Sequence, residues 1–236
     1  MWKLIRLEYK KNKILKYVMK VGVITAIALL FFFAFTFWGI ALDSDTGKVE
    51  PDMVDKLPML VTACMDLVFM VFTTSMYSSF LIEPYQNKSI HLMFTYPVSR
   101  KKVIVAKIAA VWMFSLIASV FTRLVVFVAL KTGGCFFTPD FLLNYSIMDF
   151  SFWSVQLVKS IEVVTIVLLA VWGGMDMKST RMAVIFSIIL IVIMQGAVGD
   201  LSLRSQSWLP LILAALAIVR TLIFVAGVEK KDVPDF

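Results

Sequence analysis

The sequence is short of charged side chains and of the residues that usually carry catalytic or redox chemistry. Asp, Glu, Lys and Arg make up 17% of its 236 residues, and His occurs once. A soluble domain carries about 25% charged residues, so this shortage argues against a soluble globular protein. The two cysteines, Cys64 and Cys135, are too few to indicate a disulfide framework or a zinc site.

A nucleotide-binding motif is also missing. No G-x-x-x-x-G-K-[ST] sequence occurs, and the stretch GGMDMKST at 173–180 lacks the Gly-Lys pair and the required spacing. We therefore expect no enzymatic activity, no metal site and no cofactor in this chain. If ATP drives the protein, another polypeptide must bind it.

Long apolar runs dominate what remains, since 60% of the residues are hydrophobic. A membrane-spanning helix needs about 20 mainly apolar residues. Six runs approach or exceed this length: 21–42, 59–82, 103–130, 152–172, 182–198 and 209–228. The fifth run is short, and the third is long enough to tilt or project. The sequence therefore predicts an all-α membrane protein, with one transmembrane domain of six helices over residues 1–236.

The distribution of positive charge predicts the orientation of these helices. Lys and Arg accumulate in cytoplasmic flanks and short cytoplasmic loops. The two termini together with 83–107 and 173–181 carry sixteen of them, and the other three loops carry four. This split predicts that both termini are cytoplasmic. The net charge of +7 is thus a sign of topology, and it does not point to nucleic-acid binding.

The N-terminal segment, residues 1–20, has the pattern of an amphipathic helix at about 100° per residue. One stripe is apolar: Leu4, Leu7, Ile14, Leu15 and Val18. The neighbouring face is basic: Lys3, Arg6, Lys10, Lys13 and Lys16. Such a helix suits the inner membrane interface, where lysines meet anionic headgroups. The simpler alternative is a basic flank of the first span.

A polar, basic insert at 83–102 separates the second and third apolar runs. Pro84 is expected to end the second span after Glu83, because proline lacks an amide donor and disfavours helix at the preceding residue. Residues 86–95 can form two to three helical turns, bounded by Pro97. The apolar side of this short helix is formed by three residues: Ile90, Met93 and Phe94. Ser99 is a suitable N-cap for the third span. The alternative is an ordinary solvated loop.

These features resemble the type-2 ABC transporter permeases, especially the small permeases of bacterial bacitracin-resistance and lantibiotic-immunity systems. In that family a glutamate ends the second span, and a coupling helix leads to a Pro-x-Ser-Arg turn and a lysine. The corresponding positions here are Glu83, Pro97, Ser99, Arg100 and Lys107. The agreement in length and topology extends over nearly the whole chain.

The resemblance implies a half-transporter of the bacterial plasma membrane. Its coupling region, with Ile90, Met93 and Phe94, would dock on a separate ATP-binding-cassette subunit that holds ATP and Mg. The permease would pair with a second copy or a similar chain among membrane lipids. Its substrate would be amphipathic, such as a peptide antibiotic or a lipid-like molecule, and it would be exported.

Five ionisable residues fall within the predicted spans: Asp66, Arg123, Lys159, Glu162 and Arg220. Each costs at least about 2.5–3.5 kcal/mol at the bilayer centre, so most are expected to face a partner or a polar cavity. Depth in the membrane favours pairing Asp66 with Arg123, and Glu162 with Arg220 or, at i, i+3, with Lys159. These charges are either struts between helices or the lining of a substrate path.

Two other functions remain open at the level of sequence. An ion-coupled secondary transporter would use Asp66 or Glu162 as a proton carrier and would need no ATPase. Such transporters usually contain internal repeats or broken helices, and no repeat is visible here. The second alternative is a membrane immunity or sensor protein that binds a ligand without transporting it.

Overall fold

The computed structural model describes residues 2–36, 51–86, 100–137, 149–177, 179–196 and 208–227, which are almost entirely helical and contain no β-strand. The helices are α1 (Trp2–Lys11), α2 (Ile14–Ala34), α3 (Pro51–Tyr77), α4 (Arg100–Phe137), α5 (Phe150–Asp176), α6 (Thr180–Gly196) and α7 (Trp208–Gly227). Helix α3 continues through a π-helical turn (Ser78–Ile82) into a last α-helical turn (Glu83–Gln86). The predicted all-α class is confirmed for these residues.

Within the described residues, five helices are long and apolar enough to cross a membrane: α2, α3 with its π turn, α4, α5 and α7. Helix α6 corresponds to the predicted fifth span, and its 17 residues extend about 25 Å, somewhat less than the ~30 Å hydrocarbon core. Helix α4 has 38 residues and a length of about 57 Å, so it is long enough to project beyond the core, as predicted. Six spans and cytoplasmic termini stay predictions.

The structure divides the predicted N-terminal helix in two. Helix α1 ends at Lys11, Lys13 has a left-handed backbone with φ of 49°, and α2 begins at Ile14. The backbone amide and the side chain of Asn12 both donate to the carbonyl oxygen of Glu8, at 3.1 and 3.2 Å, where α1 ends. The apolar periodicity at residues 14–18 therefore belongs to the first span, and a period of 3.6 residues alone does not detect the turn.

By its internal contacts the chain divides into two compact units, and the first comprises residues 1–14, 66–116 and 161–236. In this unit the indole of Trp112 donates to the Thr165 hydroxyl at 3.3 Å. The Trp172 indole donates to the Thr221 hydroxyl at 2.9 Å, which joins α5 to α7. Both tryptophans therefore bring an apolar body and a satisfied polar group into helix packing.

The second unit comprises residues 15–65 and 117–160. The hydroxyls of Thr25 and Thr122 lie 2.9 Å apart and connect α2 with α4. Phe127 and Phe152 meet edge to face, with ring centroids 5.1 Å apart, and connect α4 with α5. One contact is a hydrogen bond between two hydroxyls, and the other is an edge-to-face pair of rings. Both can hold helices together in a membrane, where the hydrophobic effect does not drive the association of helices.

Candidate functional site

The residues predicted to form the coupling site lie at the edge of the described structure. Glu83 opens the last turn after α3, where it is exposed and accepts a hydrogen bond from the Ser79 hydroxyl at 3.4 Å. Arg100 is the first residue of α4, directly after the predicted N-cap. The other predicted coupling residues lie outside the described residues: Ile90, Met93, Phe94, Pro97 and Ser99.

Helix α3 does not stop before Pro84, contrary to the prediction. The chain forms a π turn over Ser78–Ile82, in which the Glu83 amide donates to the carbonyl oxygen of Ser78, and it remains helical to Gln86. In a regular α-helix the proline ring collides with the carbonyl four residues earlier. A π turn changes the spacing of the carbonyls, which allows the helix to continue past the ring. The composition of this segment does not distinguish the two outcomes.

Two side-chain bonds join the end of α3 to the start of α4. The ammonium group of Lys107 donates to the carbonyl oxygen of Phe80 at 3.1 Å, within the π turn. The Tyr77 hydroxyl donates to the carbonyl oxygen of Ile108 at 3.3 Å. Lys107 is 4% exposed, so its charge lies within the packed protein. The lysine that the family resemblance selected is therefore an internal connector at this site.

Helix α1 packs against the first half of α4 in the same unit. Ile5 is buried against Ala106 and Ala110, and the Tyr9 hydroxyl donates to the carbonyl oxygen of Ala110 at 2.7 Å. Partial burial raises the pKa of the Tyr9 phenol above its usual value. Small residues at Ala106 and Ala110 permit the close approach of the two helices.

The buried face of α1 differs from the predicted apolar stripe. Ile5 and Glu8 are buried, whereas Leu7 is 61% exposed. The basic residues of the predicted polar face point outward: Lys3, Arg6 and Lys10. Glu8 is held by a hydrogen bond from the Asn12 amide at 3.3 Å, and its charge acts on Lys107 in opposition to that of Lys11. Contact with α4, which the sequence pattern could not reveal, selects this face.

A hydrogen-bonded cluster surrounds Arg123 in the second unit. The Arg123 guanidinium donates to the side-chain oxygen of Gln156 at 2.9 Å, and the Gln156 amide donates to the Thr62 hydroxyl at 3.2 Å. Arg123 is 1% exposed, so these groups make contact away from solvent. Sequence reasoning missed Gln156 because the search was confined to charged residues. The predicted partner, Asp66, belongs to the other unit, and the pairing stays a prediction.

The remaining intramembrane charges have different surroundings. Arg220 on α7 forms an ion pair with Asp176, the last residue of α5, and both side chains are more than half exposed. The predicted position in the membrane favoured Glu162 as the partner of Arg220. Asp176 was not considered because the predicted span ends at Trp172, whereas α5 continues to Asp176. Glu162 is buried and Lys159 is partly buried, and their predicted i, i+3 pairing stays a prediction.

A close helix crossing lies beside this ion pair. Helix α5 continues through Gly173 and Gly174, which the sequence had placed in a loop. A Cβ atom built on Gly174 would lie 2.4 Å from the Cβ of Ala183, at the start of α6. Only a hydrogen at this position lets the backbones of α5 and α6 approach so closely.

The described residues contain no cluster of three or more His, Cys, Asp or Glu side chains that could hold a metal ion. What the arrangement offers is mechanical: charged and aromatic side chains hold the backbones of three helices together. These helices are α1, the end of α3 and the start of α4, and the last two flank the predicted coupling segment.

Comparison with known proteins places this geometry in context. The family described as "ABC-2 family transporter protein" matches residues 4–196. A protein of Bacillus subtilis (strain 168), named "Uncharacterized protein YcbO", is 24% identical over 235 residues, which cover 97% of this chain and 99% of that protein. No solved structure matches the chain. The family match and the five long apolar helices together indicate a multi-pass membrane protein of the bacterial cell membrane.

Proposed function

The chain belongs to the ABC-2 family of transporter proteins, and on that premise we propose that it is the permease subunit of an ABC exporter. The match begins at residue 4 and extends to 196, so it takes in most of α1, the predicted coupling segment and the apolar helices α2 to α6, and it ends before α7. The sequence has no phosphate-binding loop of its own. A separate ATP-binding-cassette subunit therefore binds ATP with Mg and hydrolyses the ATP.

The predicted coupling segment, residues 86–97, is the proposed docking site for that subunit. The sequence predicts an apolar side formed by Ile90, Met93 and Phe94, and such a side would fit a groove on a partner in the way that amphipathic helices are commonly recognised. The observation that carries the proposal is the connection of its two flanks. The bonds from Lys107 to Phe80 and from Tyr77 to Ile108 join the helix before the segment to the helix after it.

This connection gives a route from ATP hydrolysis to the membrane. When two ATP-binding subunits close, a force on the coupling segment reaches α3 and α4 together, because their ends are hydrogen-bonded to each other. Packed helices respond to such a displacement by moving between discrete arrangements. The exporter would contain two permeases, either two copies of this chain or this chain and a similar one.

The proposed substrate is amphipathic, either a peptide antibiotic or a lipid-like molecule. The support for this class is the resemblance to small permeases of bacitracin-resistance and lantibiotic-immunity systems. The described helices agree with a pathway at the membrane, since polar groups such as Arg123 and Gln156 lie within otherwise apolar segments. A hydrogen-bonded polar group of this kind is able to contact the polar part of such a substrate or to brace two helices.

Affinity purification from the membranes of the source organism tests the function. The tagged full chain is expected to retain a protein that contains a phosphate-binding loop and hydrolyses ATP. The double substitution Met93→Asp and Phe94→Asp should abolish that association, because it places two charges on the apolar side. Met177→Asp is a matched control, since it adds a charge to an exposed residue in the other predicted cytoplasmic loop. Ion-driven transport by a preparation free of any ATPase would contradict the proposal and favour a secondary transporter.

A further inference from the structure

Helix α1 separates its charges between two sides. Its one acidic residue, Glu8, is buried on the side that packs against α4, where its charge acts on Lys107. Every basic residue of α1 and of the turn that follows it is exposed: Lys3, Arg6, Lys10, Lys11 and Lys13. Between residues 2 and 13 the outward side therefore carries positive charge only.

Two large apolar side chains are exposed on the same helix. Trp2 is 67% exposed and Leu7 is 61% exposed. Basic residues together with an exposed tryptophan and leucine are typical of a helix that lies at the boundary between lipid headgroups and acyl chains. The position of α1 agrees, because it packs against Ala106 and Ala110, and the apolar span of α4 begins at Lys101. At 1.5 Å per residue this contact lies about 8–14 Å from the start of the span.

The contact with α4 alone gives α1 limited support. The helix has ten residues, and isolated helices shorter than about 12–15 residues are marginal in water. Like charges three and four residues apart on one helix repel each other, as Lys3, Arg6 and Lys10 do. The burial of Ile5 and the hydrogen bond from Tyr9 to α4 oppose these effects. A negatively charged surface on the outward side would replace the repulsion by attraction.

We propose that the outward side of α1 binds the headgroups of anionic lipids and that this binding holds α1 against α4. Its contacts on α4, Ala106 and Ala110, flank Lys107 and Ile108, which take part in the two side-chain bonds between α4 and the end of α3. Anionic lipid therefore stabilises the part of α4 that is joined to α3. Given the proposed function, on which this last step rests, the transmission of force from the ATP-binding subunit depends on anionic lipid.

The first test is hydrogen exchange of the amides of residues 2–11 in the full chain. The chain is placed in nanodiscs of phosphatidylcholine, with or without phosphatidylglycerol. Exchange is expected to be at least about fivefold slower with phosphatidylglycerol, which is the effect of one basic residue near an anionic surface. The combined variant Lys3→Gln, Arg6→Gln and Lys10→Gln should lose this difference, because glutamine favours a helix equally well but carries no charge. A matched control removes three exposed charges outside α1 and should keep the difference: Lys16→Gln, Lys102→Gln and Arg181→Gln.

The second test is the ATPase rate of the complex in the same two kinds of nanodisc. Phosphatidylglycerol is expected to raise this rate relative to that of the isolated ATP-binding subunit. Tyr9→Phe keeps every charge of α1 but removes the hydrogen bond to the carbonyl oxygen of Ala110. This variant should still show slower exchange of α1 with phosphatidylglycerol, and it should lose most of the effect of the lipid on the ATPase rate.

Equal exchange of α1 in both nanodiscs would overturn the proposal, and so would a difference that survives the triple substitution on α1. Slower exchange that appears only when the ATP-binding subunit is added, with either lipid, would overturn it in favour of a protein partner for the basic side. An ATPase rate that the chain stimulates equally in both nanodiscs would overturn the step from lipid to transmission. Hydrogen exchange does not depend on a partner, so a chain that stimulates no ATPase in either nanodisc would contradict the proposed function alone.

Discussion

The crossing of α5 and α6 depends on the absence of a side chain at Gly174. A Cβ atom there would lie 2.4 Å from the Cβ, 2.8 Å from the Cα and 2.9 Å from the backbone nitrogen of Ala183. Carbon atoms are in favourable contact at about 3.5–4.0 Å, so Gly174→Ala requires the two helices to separate by about 1 Å. The opposing atoms are mostly backbone, and they cannot rotate away as a flexible side chain can.

The expected cost follows from two opposed effects. Overpacking a close contact costs about 1–3 kcal/mol. Replacing glycine by alanine inside a helix stabilises it by about 0.8–1.0 kcal/mol. The net loss for Gly174→Ala is then at most about 2 kcal/mol, which corresponds to a fall of up to about 8 °C in the unfolding temperature for a chain of this size.

Two other glycines provide controls for this prediction. No atom lies within 4 Å of a Cβ built on Gly22, so Gly22→Ala is expected to leave the unfolding temperature unchanged or to raise it. The three atoms nearest to a Cβ on Gly173 all belong to the ring of Phe186, the nearest at 2.9 Å, and the ring can shift, so an intermediate effect is expected. The assay is fluorescence-monitored unfolding of each purified variant in the same detergent. If Gly174→Ala is as stable as Gly22→Ala, the close crossing is not a feature of the protein.

Three further predictions concern the contacts of α1 and the buried polar cluster. Tyr9→Phe removes a 2.7 Å hydrogen bond and is expected to cost about 0.5–1.5 kcal/mol. Folding raises the pKa of Tyr9, so this stabilisation is present below the usual phenol pKa and is lost as the pH rises through the pKa of the folded state. The unfolding curves of Tyr9→Phe and the original protein should therefore converge at alkaline pH. Gln156→Leu deprives the buried Arg123 of one acceptor and is expected to lower stability by about 1–3 kcal/mol, whereas Gln156→Glu keeps an acceptor and should be tolerated better in the same unfolding assay. Reversing the outward basic residues of α1 to Glu removes attraction worth about 1 kcal/mol for each residue near an anionic surface, and vesicle flotation of the full chain should show reduced insertion. This last set is Lys3, Arg6 and Lys10.

The helical class and the positions of the long apolar segments were predictable from sequence. A helix that crosses a membrane must be long and apolar, and both properties can be read directly from the residue types along the sequence. The ends of the helices were less predictable, because the effect of a glycine or a proline depends on the residues packed around it. The fourth apolar run was predicted to end at Trp172, but α5 continues through Gly173 and Gly174, and Gly174 allows a close crossing of α5 and α6. Pro84 suggested a helix end, but a π turn precedes it and the helix continues.

The side-chain connections were only partly predictable. Lys107 was identified by family resemblance, but its acceptor is a backbone carbonyl. Every residue has such a carbonyl, so the sequence does not show which one Lys107 bonds to. The partner of Arg220 was missed because Asp176 had been assigned to a loop. Gln156 was missed because it is uncharged, although a polar amide within an apolar run is a signal that a wider search would use. The apolar stripe of α1 that includes Leu7 was assigned to the membrane interface, and this stays a prediction. The burial of Ile5 and Glu8 was not foreseen, because a single helical period does not show which residues meet another helix.

The central claim is that the segment between α3 and α4 docks on the ATP-binding subunit, and site-specific photocrosslinking tests it most directly. A photoreactive residue is placed at Ile90 in the full chain, with separate control chains carrying it at Met177 in the other predicted cytoplasmic loop and at Lys48 in a predicted outer loop. The crosslinks are formed in native membranes in the presence of the co-purifying ATPase. The account predicts a crosslink to the ATPase from Ile90 that exceeds that from Met177, and none from Lys48. A crosslink from either control position in the absence of one from Ile90 would contradict it.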